Sequence, residues 1–370
     1  LPMIGGALDA LNIEDKGKAP KCVADLEQAV TGADLVIENV PENLEAKAAL
    51  YGKLEALIGD DVLVVSDTSG IPITKLQAHI SNPGRFAGMH WSNPPHIIPM
   101  IEVIAGEETD PSTVEAIRIL IRELGLLPVV LKRDVPGFVE NRVLYALLRE
   151  CVDLVEQGVI SPDDLDVCVK WGIGYKLSVV GPMRLLDMAG LDIGYYVRQS
   201  RQEHIAHDPA YGAVADRLVE KGRNGLKTGR GAYNYEPGSR VPIPDPEVLE
   251  IAKQEAERLG VQQRSDISDE EILVRVMYSL INEGAAILEE GIAAKSSDID
   301  VIYVYGYGFP VYRGGPMQYA DEVGLGTILD KLTTYRDQLG EYGKMWLEPS
   351  DLLVKLAQEG GSFRSYNAKA

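Results

Sequence analysis

Apolar positions recur along this chain with two different periods, and the change comes near residue 134. In the first part, short unbroken apolar runs alternate with amphipathic stretches. Residues 34–40 (Asp-Leu-Val-Ile-Glu-Asn-Val) and 62–66 read as buried strands, as do 85–90, 100–104 and 127–132. Between them, residues 24–30, 43–58 and 72–80 have helical spacing. Asp110-Pro111 opens a further helix to Leu124, with proline at the first helical position, where an amide hydrogen is not needed. Strands alternating with helices predict an α/β fold with a mostly parallel, doubly wound, Rossmann-like sheet. After Asp134-Val135-Pro136-Gly137 one long helix is expected over 137–157, and the remainder reads as almost wholly helical.

The helical part repeats itself. Arg142, Tyr145, Leu147, Glu150, Glu156 and Gly158 recur 133 residues later as Arg275, Tyr278, Leu280, Glu283, Glu289 and Gly291. Asp164, Asp166, Gly172, Gly174, Gly181, Pro182, Met183 and Asp187 recur 134 residues later as Asp298, Asp300, Gly306, Gly308, Gly315, Pro316, Met317 and Asp321. Chance does not keep so many matches in register. The expected organisation is a partial dinucleotide-binding domain at 1–134, a first helical domain at 135–236, a stiff proline-rich linker at 237–246 and a second helical domain at 247–370. Copies that face each other bury their apolar faces in a pseudo-twofold interface, so much of the shared pattern, Arg142 and Arg275 included, reads as packing.

Composition narrows the class. Of 370 residues 45% are hydrophobic and 25% charged, the balance of a soluble globular chain too long for one core. No apolar run approaches a membrane span, and the opening does not read as a secretory signal. Cys22, Cys151 and Cys168 are too few and too scattered for a disulfide framework or a zinc site, which points to a reducing, cytoplasmic setting. A net charge of −20 argues against nucleic acid as a partner.

Candidate chemistry centres on His90. It ends one strand, and Glu102 sits in the next, so the two can meet across a sheet edge as a general base and its orienting carboxylate. A lone histidine is more often structural, but the Asn93-Pro94 turn and Glu102 favour catalysis. His96 lies between prolines with no orienting acid, and His79, His204 and His207 read as surface; none has metal-site spacing.

Several motifs together carry a family resemblance. Residues 34–47 (DLVIENVPENLEAK), Ser66-Asp67-Thr68-Ser69, His90-x-x-Asn93-Pro94, Glu102, Pro136-Gly137-Phe138-Val-Glu-Asn141-Arg142 and Lys227-Thr-Gly-Arg-Gly-Ala-Tyr233 resemble the L-3-hydroxyacyl-CoA dehydrogenases. Asn282-Glu283-Gly284, Gly306-Tyr-Gly-Phe-Pro310 and Tyr312-Arg313-Gly314-Gly315-Pro316-Met317 look like the terminal domain of the dehydrogenase part of multifunctional fatty-acid oxidation enzymes. The resemblance implies 6-phosphogluconate-dehydrogenase-C-terminal-like helical domains. It also implies NAD as cofactor and oxidation of (S)-3-hydroxyacyl-CoA to 3-ketoacyl-CoA in fatty-acid or aromatic-acid β-oxidation, in a monomer or homodimer. His90 would take the hydroxyl proton and Glu102 would orient it; Ser69 and Asn141 would hold the reacting oxygen; Glu42, Lys47 and Asn93 would line the nicotinamide side. Val274 replaces Asn141 in the second copy, so the scaffold does not require an amide there.

Departures keep the substrate open. Asp67 stands where family members often carry asparagine, and an acid there repels an anionic substrate unless it is paired. Pro94-Pro95-His96-Ile-Ile-Pro99 is similar to the branch that oxidises free hydroxy acids of the gulonate or carnitine type. A free 3-hydroxy acid is therefore an alternative substrate, and a catalytically silent acyl-CoA-binding relative is a third reading. The Gly-x-Gly-x-x-Gly fingerprint is missing: Gly5-Gly6 precedes a helix-like 7–11 with no strand before it, and Gly172-x-Gly174 and Gly306-x-Gly308 fall in the helical repeats. Loss of central strands would leave strand 34–40 with an unpaired apolar edge, so the chain is expected to be an N-terminally incomplete part of a longer protein.

Overall fold

A computed structural model describes residues 21–93, 95–158, 160–172, 181–201, 212–261, 264 and 266–366. Gly5-Gly6 and the helix read at 7–11, Gly174, His204 and His207 lie outside the described residues. The chain divides into two compact units, one of residues 1–68 with 73–128 and the other of 69–72 with 129–370.

The first unit runs α1 (Leu26–Val30), β1 (Leu35–Glu38), α2 (Leu44–Leu54), β2 (Leu63–Ser66), α3 (Ile73–Gln77), β3 (Phe86–Trp91), β4 (Met100–Ala105) and α4 (Pro111–Glu123), and β5 (Leu127–Leu131) straddles its end. The five strands lie in chain order in one sheet. β1, β2 and β3 are parallel, as the alternation predicts, but β4 runs antiparallel to β3. The connection between β3 and β4 is a short proline-rich turn, too short for the crossover that a parallel pair requires. Continuous burial along β3 and β4 explains their unbroken apolar sequences. β1 comes first in the sheet order, and its Ile37 is 41% exposed.

Local chemistry sets the helix limits. Asn43 caps α2 by accepting the Ala46 amide at 2.9 Å. That helix ends at Leu54, four residues before the expected limit, because Leu57 N–H bonds back to Leu54 O in a tight turn. The long helix expected from 137 starts instead at Glu140. Gly137 and Phe138 both have positive φ (78° and 53°), which a helix does not tolerate, and complete burial of the Phe138 ring holds that turn.

The second unit is helical: α5 (Glu140–Glu156), α6 (Pro162–Gly172), α7 (Pro182–Ala189), α8 (Leu191–Arg201), α9 (Ala213–Glu220), α10 (Pro246–Leu259), α11 (Asp269–Glu289), α12 (Ser296–Val301), α13 (Pro316–Val323), α14 (Leu325–Gln338), α15 (Gly340–Trp346) and α16 (Asp351–Glu359). No described helix is long and apolar enough to cross a membrane. The helices that open the two repeats, α5 and α11, pack along each other. Their arginines cross over: Arg275 of the second copy reaches Glu150 (3.1 Å) and Asp153 (2.5 Å) of the first, while Arg142 of the first reaches Glu283 and Glu290 of the second. The repeated aspartates cap helices. Asp166 accepts the Met183 amide at 2.7 Å and Asp300 the Met317 amide at 2.8 Å, each at the start of its copy's Gly-Pro-Met helix. The glycine before each proline is needed for that approach, since a Cβ at Gly181 or Gly315 would fall 2.1 or 2.4 Å from the aspartate. The shared pattern is thus largely packing.

The segment read as a stiff linker is partly ordered as a ribbon. Ile243–Pro244 pairs antiparallel with Tyr233–Asn234, and Arg223 holds Asp245 at 2.9 Å. Arg230 reaches the same carboxylate at 3.2 Å, and a basic pair able to reach across a turn turns a polar stretch into a fixed one.

Candidate active site

The antiparallel register of β3 and β4 sets His90 directly opposite Glu102. Nδ1 of His90 lies 2.8 Å from Oε2 of Glu102, with the side chains 5% and 0% exposed. An ionised carboxylate only accepts, so Nδ1 carries the hydrogen and Nε2 is the nitrogen that can take up a proton. A carboxylate fully removed from water can fix the tautomer of the ring, and would stabilise an imidazolium formed there. Twelve residues separate the two in the chain because the strands are joined by one short turn.

The carboxyl ends of parallel β1, β2 and β3 lie side by side, the place where open α/β sheets bind ligands. Hydrogen bonds tie these ends together. Asp67 Oδ2 accepts from Asn39 Nδ2 at 2.7 Å and Oδ1 accepts the Trp91 amide at 2.8 Å. Thr68 donates its hydroxyl to Glu42 at 2.6 Å. Beneath them is a cluster that pattern reading missed. Glu38, at the end of β1, receives Lys47 Nζ at 2.8 and 3.0 Å, Tyr51 Oη at 2.7 Å and Ser66 Oγ at 2.7 Å. Burial works to raise the Glu38 carboxyl, but the hydrogen bonds from Lys47, Ser66 and Tyr51 outweigh it and hold it below the usual range. The signal available was Glu38 itself, an acid inside an apolar strand run, which requires a partner.

Lys47 is consequently 1% exposed, with its amine also 3.3 Å from Val40 O and 3.5 Å from Glu42. It bears on the strand ends through Glu42 rather than by facing outward. Glu42 and Asn93 are exposed. In the second unit Ser69 is also exposed, and Asn141 Nδ2 donates to the Ser69 carbonyl at 2.9 Å. The four expected catalytic residues therefore form two pairs, His90 with Glu102 and Asn141 with Ser69. Val274, at the matching position of the second copy, could make no such bond. Lys227 pairs with Asp192 at 2.5 Å.

These strand ends suit a dinucleotide. Exposed Glu42 and Asn93 offer acceptors and a donor for a ribose and a carboxamide, and the buried Thr68 hydroxyl and Lys47 keep the Glu42 carboxylate in place. Bound there, NAD would supply the hydride acceptor.

Residues 5–135 match the NAD-binding domain of 3-hydroxyacyl-CoA dehydrogenase, and residues 137–235 and 272–366 each match its C-terminal domain. The chain is 63% identical over 213 residues to 5-formyl-3-hydroxy-2-methylpyridine 4-carboxylate 5-dehydrogenase of Mesorhizobium japonicum, covering 58% of this chain and 69% of the relative. It is 36% identical over 345 residues to the peroxisomal bifunctional enzyme of Danio rerio, covering 90% of this chain but only 47% of the relative. The chain thus spans about half the length of that bifunctional relative. The solved 3-hydroxybutyryl-CoA dehydrogenase of Escherichia coli K12 superposes with a TM-score of 0.73 at 25% identity, over 91% of this chain and 84% of that one. With an NAD-binding α/β domain followed by two matches to the same helical domain, the chain belongs to the 3-hydroxyacyl-CoA dehydrogenase family.

Proposed function

We propose that this protein is an NAD-dependent dehydrogenase acting on a small aromatic carbonyl compound free of coenzyme A, of the class to which 5-formyl-3-hydroxy-2-methylpyridine 4-carboxylate belongs. The observation that carries this reading is the 63% identity over 213 residues to the dehydrogenase of that compound. His90 and Glu102 suit the chemistry. An aldehyde adds water to give a geminal diol; Nε2 of His90 takes the proton of one hydroxyl, whose oxygen becomes the carbonyl as hydride leaves the carbon for the NAD⁺ that would be bound there, and the second hydroxyl stays as that of the carboxylic acid. Glu102 keeps Nδ1 protonated throughout, and the His90 proton is returned to water. Ser69 and Asn141 are assigned to holding the reacting oxygen, with Asn141 acting by fixing the backbone of Ser69. Glu42 and Asn93 are assigned to the nicotinamide side of the cofactor, with Lys47 positioning Glu42.

A second reading has one specific support. The C-terminal domain of 3-hydroxyacyl-CoA dehydrogenase is matched by both helical copies, at 137–235 and 272–366, which favours (S)-3-hydroxyacyl-CoA as substrate. The same His90 then accepts the proton of a secondary alcohol, and the product is a ketone.

The purified protein is to be given NAD⁺ with the pyridine aldehyde, and separately NADH with acetoacetyl-CoA, while absorbance of the reduced nicotinamide is followed. Turnover of the aldehyde, lost in His90→Gln, is expected. Turnover of the thioester alone would replace the first reading by the second, and turnover of neither, with no rise in Tm on adding NAD⁺, would remove both.

A further inference from the structure

Asp67 joins the ends of three strands. It follows β2, takes Asn39 Nδ2 from beyond β1 on one oxygen and, on the other, takes the amide of Trp91, the residue after His90 in β3. The register pairs Ser66 with Gly88, so Asp67 is level with Met89, one position short of His90. On the opposite side of β3, β4 places Glu102 against His90. His90 thus lies between two carboxylates, Glu102 on β4 and Asp67 just past β2: the first bonds its ring, and the second bonds the backbone beside it, close enough for the charges of Asp67 and His90 to act on each other. Burial raises the Asp67 carboxyl, and the Trp91 amide and then the His90 charge oppose that rise. Lys47 and Glu42 are the other charged groups that act on Asp67, with opposite signs.

We propose that Asp67 is a positioning residue for proton transfer at His90, holding the strand end that carries the imidazole and stabilising, by its charge, the imidazolium that forms when the substrate proton arrives. This rests on the reading of His90 as the base. An amide at 67 can keep both hydrogen bonds, since its Oδ1 still accepts from Trp91 and Asn39 can turn its own carbonyl oxygen toward the new NH₂. Only the charge separates aspartate from asparagine at this position. Removal of a negative charge near an imidazole lowers its proton affinity.

The imidazole of His90 is to be titrated by NMR in the whole chain without substrate, its signal assigned by its absence in His90→Gln, for the wild type, Asp67→Asn and Asp67→Ser. Both variants lack the charge but differ in hydrogen-bond geometry, and both are expected to titrate about 0.5–1 pH unit lower than the wild type. The acid limb of kcat/KM for oxidation should move by the same amount, a relative gain of about three- to tenfold below the limb. A limb and a titration that stay in place in a folded variant would overturn the proposal and leave Asp67 a strand fastener. A shifted titration in a protein that oxidises nothing would remove the dehydrogenase reading and leave the placement of Asp67 intact.

Discussion

Arg275 of the second helical copy holds Glu150 of the first at 3.1 Å, with both side chains fully buried. Arg142 answers from the first copy to Glu283, the repeat equivalent of Glu150. The same arginine–glutamate pairing thus occurs twice, once in each direction between the copies. Burial works against the Arg275 charge, and Glu150 and Asp153 more than offset it, so its guanidinium is held above its ordinary range. Truncation to Arg275→Leu leaves two carboxylates in the interior without their cation. A loss of about 3–5 kcal/mol is expected in the urea unfolding of the helical unit. A loss below about 1 kcal/mol would mean that the pair is solvated.

Activity should separate from stability at His90 and Glu102. His90→Gln removes the base and is expected to lower kcat/KM on the order of 10²- to 10⁴-fold. Glu102→Gln keeps a hydrogen-bonding group but no charge, so kcat should fall with little change in KM. Stopped-flow rates with and without substrate saturation distinguish these outcomes.

Lys47→Met strips Glu38 of its cation inside the cluster and should cost about 3–5 kcal/mol in denaturant melts. The double variant Lys47→Met, Glu38→Gln should recover most of that loss, because the stranded charge is gone. For Glu38 the sign follows from its lowered carboxyl: its contribution is present above the ordinary glutamate range and fades as pH falls through the folded value. Acid sensitivity below about pH 4 should therefore be smaller in the double variant.

Asp300 gives the opposite sign. Burial pushes its carboxyl up to about 7, against the pull of the Met317 and Gln318 amides. The folded state then holds this proton more tightly than the unfolded one. Stability from Asp300 is complete below about pH 4 and is lost as pH rises toward 7, by at most about 4 kcal/mol. Urea midpoints at pH 5 and pH 8 should converge in Asp300→Asn relative to the wild type.

Gly315 has φ of 118°, and a Cβ there would meet Asp300 Oδ1 at 2.4 Å. Gly315→Ala should destabilise by about 1–3 kcal/mol, read as a lower Tm. An unchanged Tm would show that α13 can retreat from Asp300.

Much of the site was legible as spacing. The strand ending at His90, the turn of prolines and the strand holding Glu102 are local features, and an antiparallel pair joined by a short turn admits few registers. The repeat was legible as well, because duplication preserves side-chain identity at packing positions such as Asp166 and Asp300. The antiparallel direction of β4 was less so, since buried strands look alike in either direction.

Residue order and periodicity settled the α/β class, the helical duplication and the His90–Glu102 pair, because short-range geometry controls each of them. Only the folded chain could bring Lys47, Tyr51 and Ser66 onto Glu38, draw Arg275 to Glu150 and tie Asp67 to Trp91. Those contacts join residues 9 to 125 positions apart. Buried charge must find its counter-charge wherever packing places it, and packing is a property of the assembled layers.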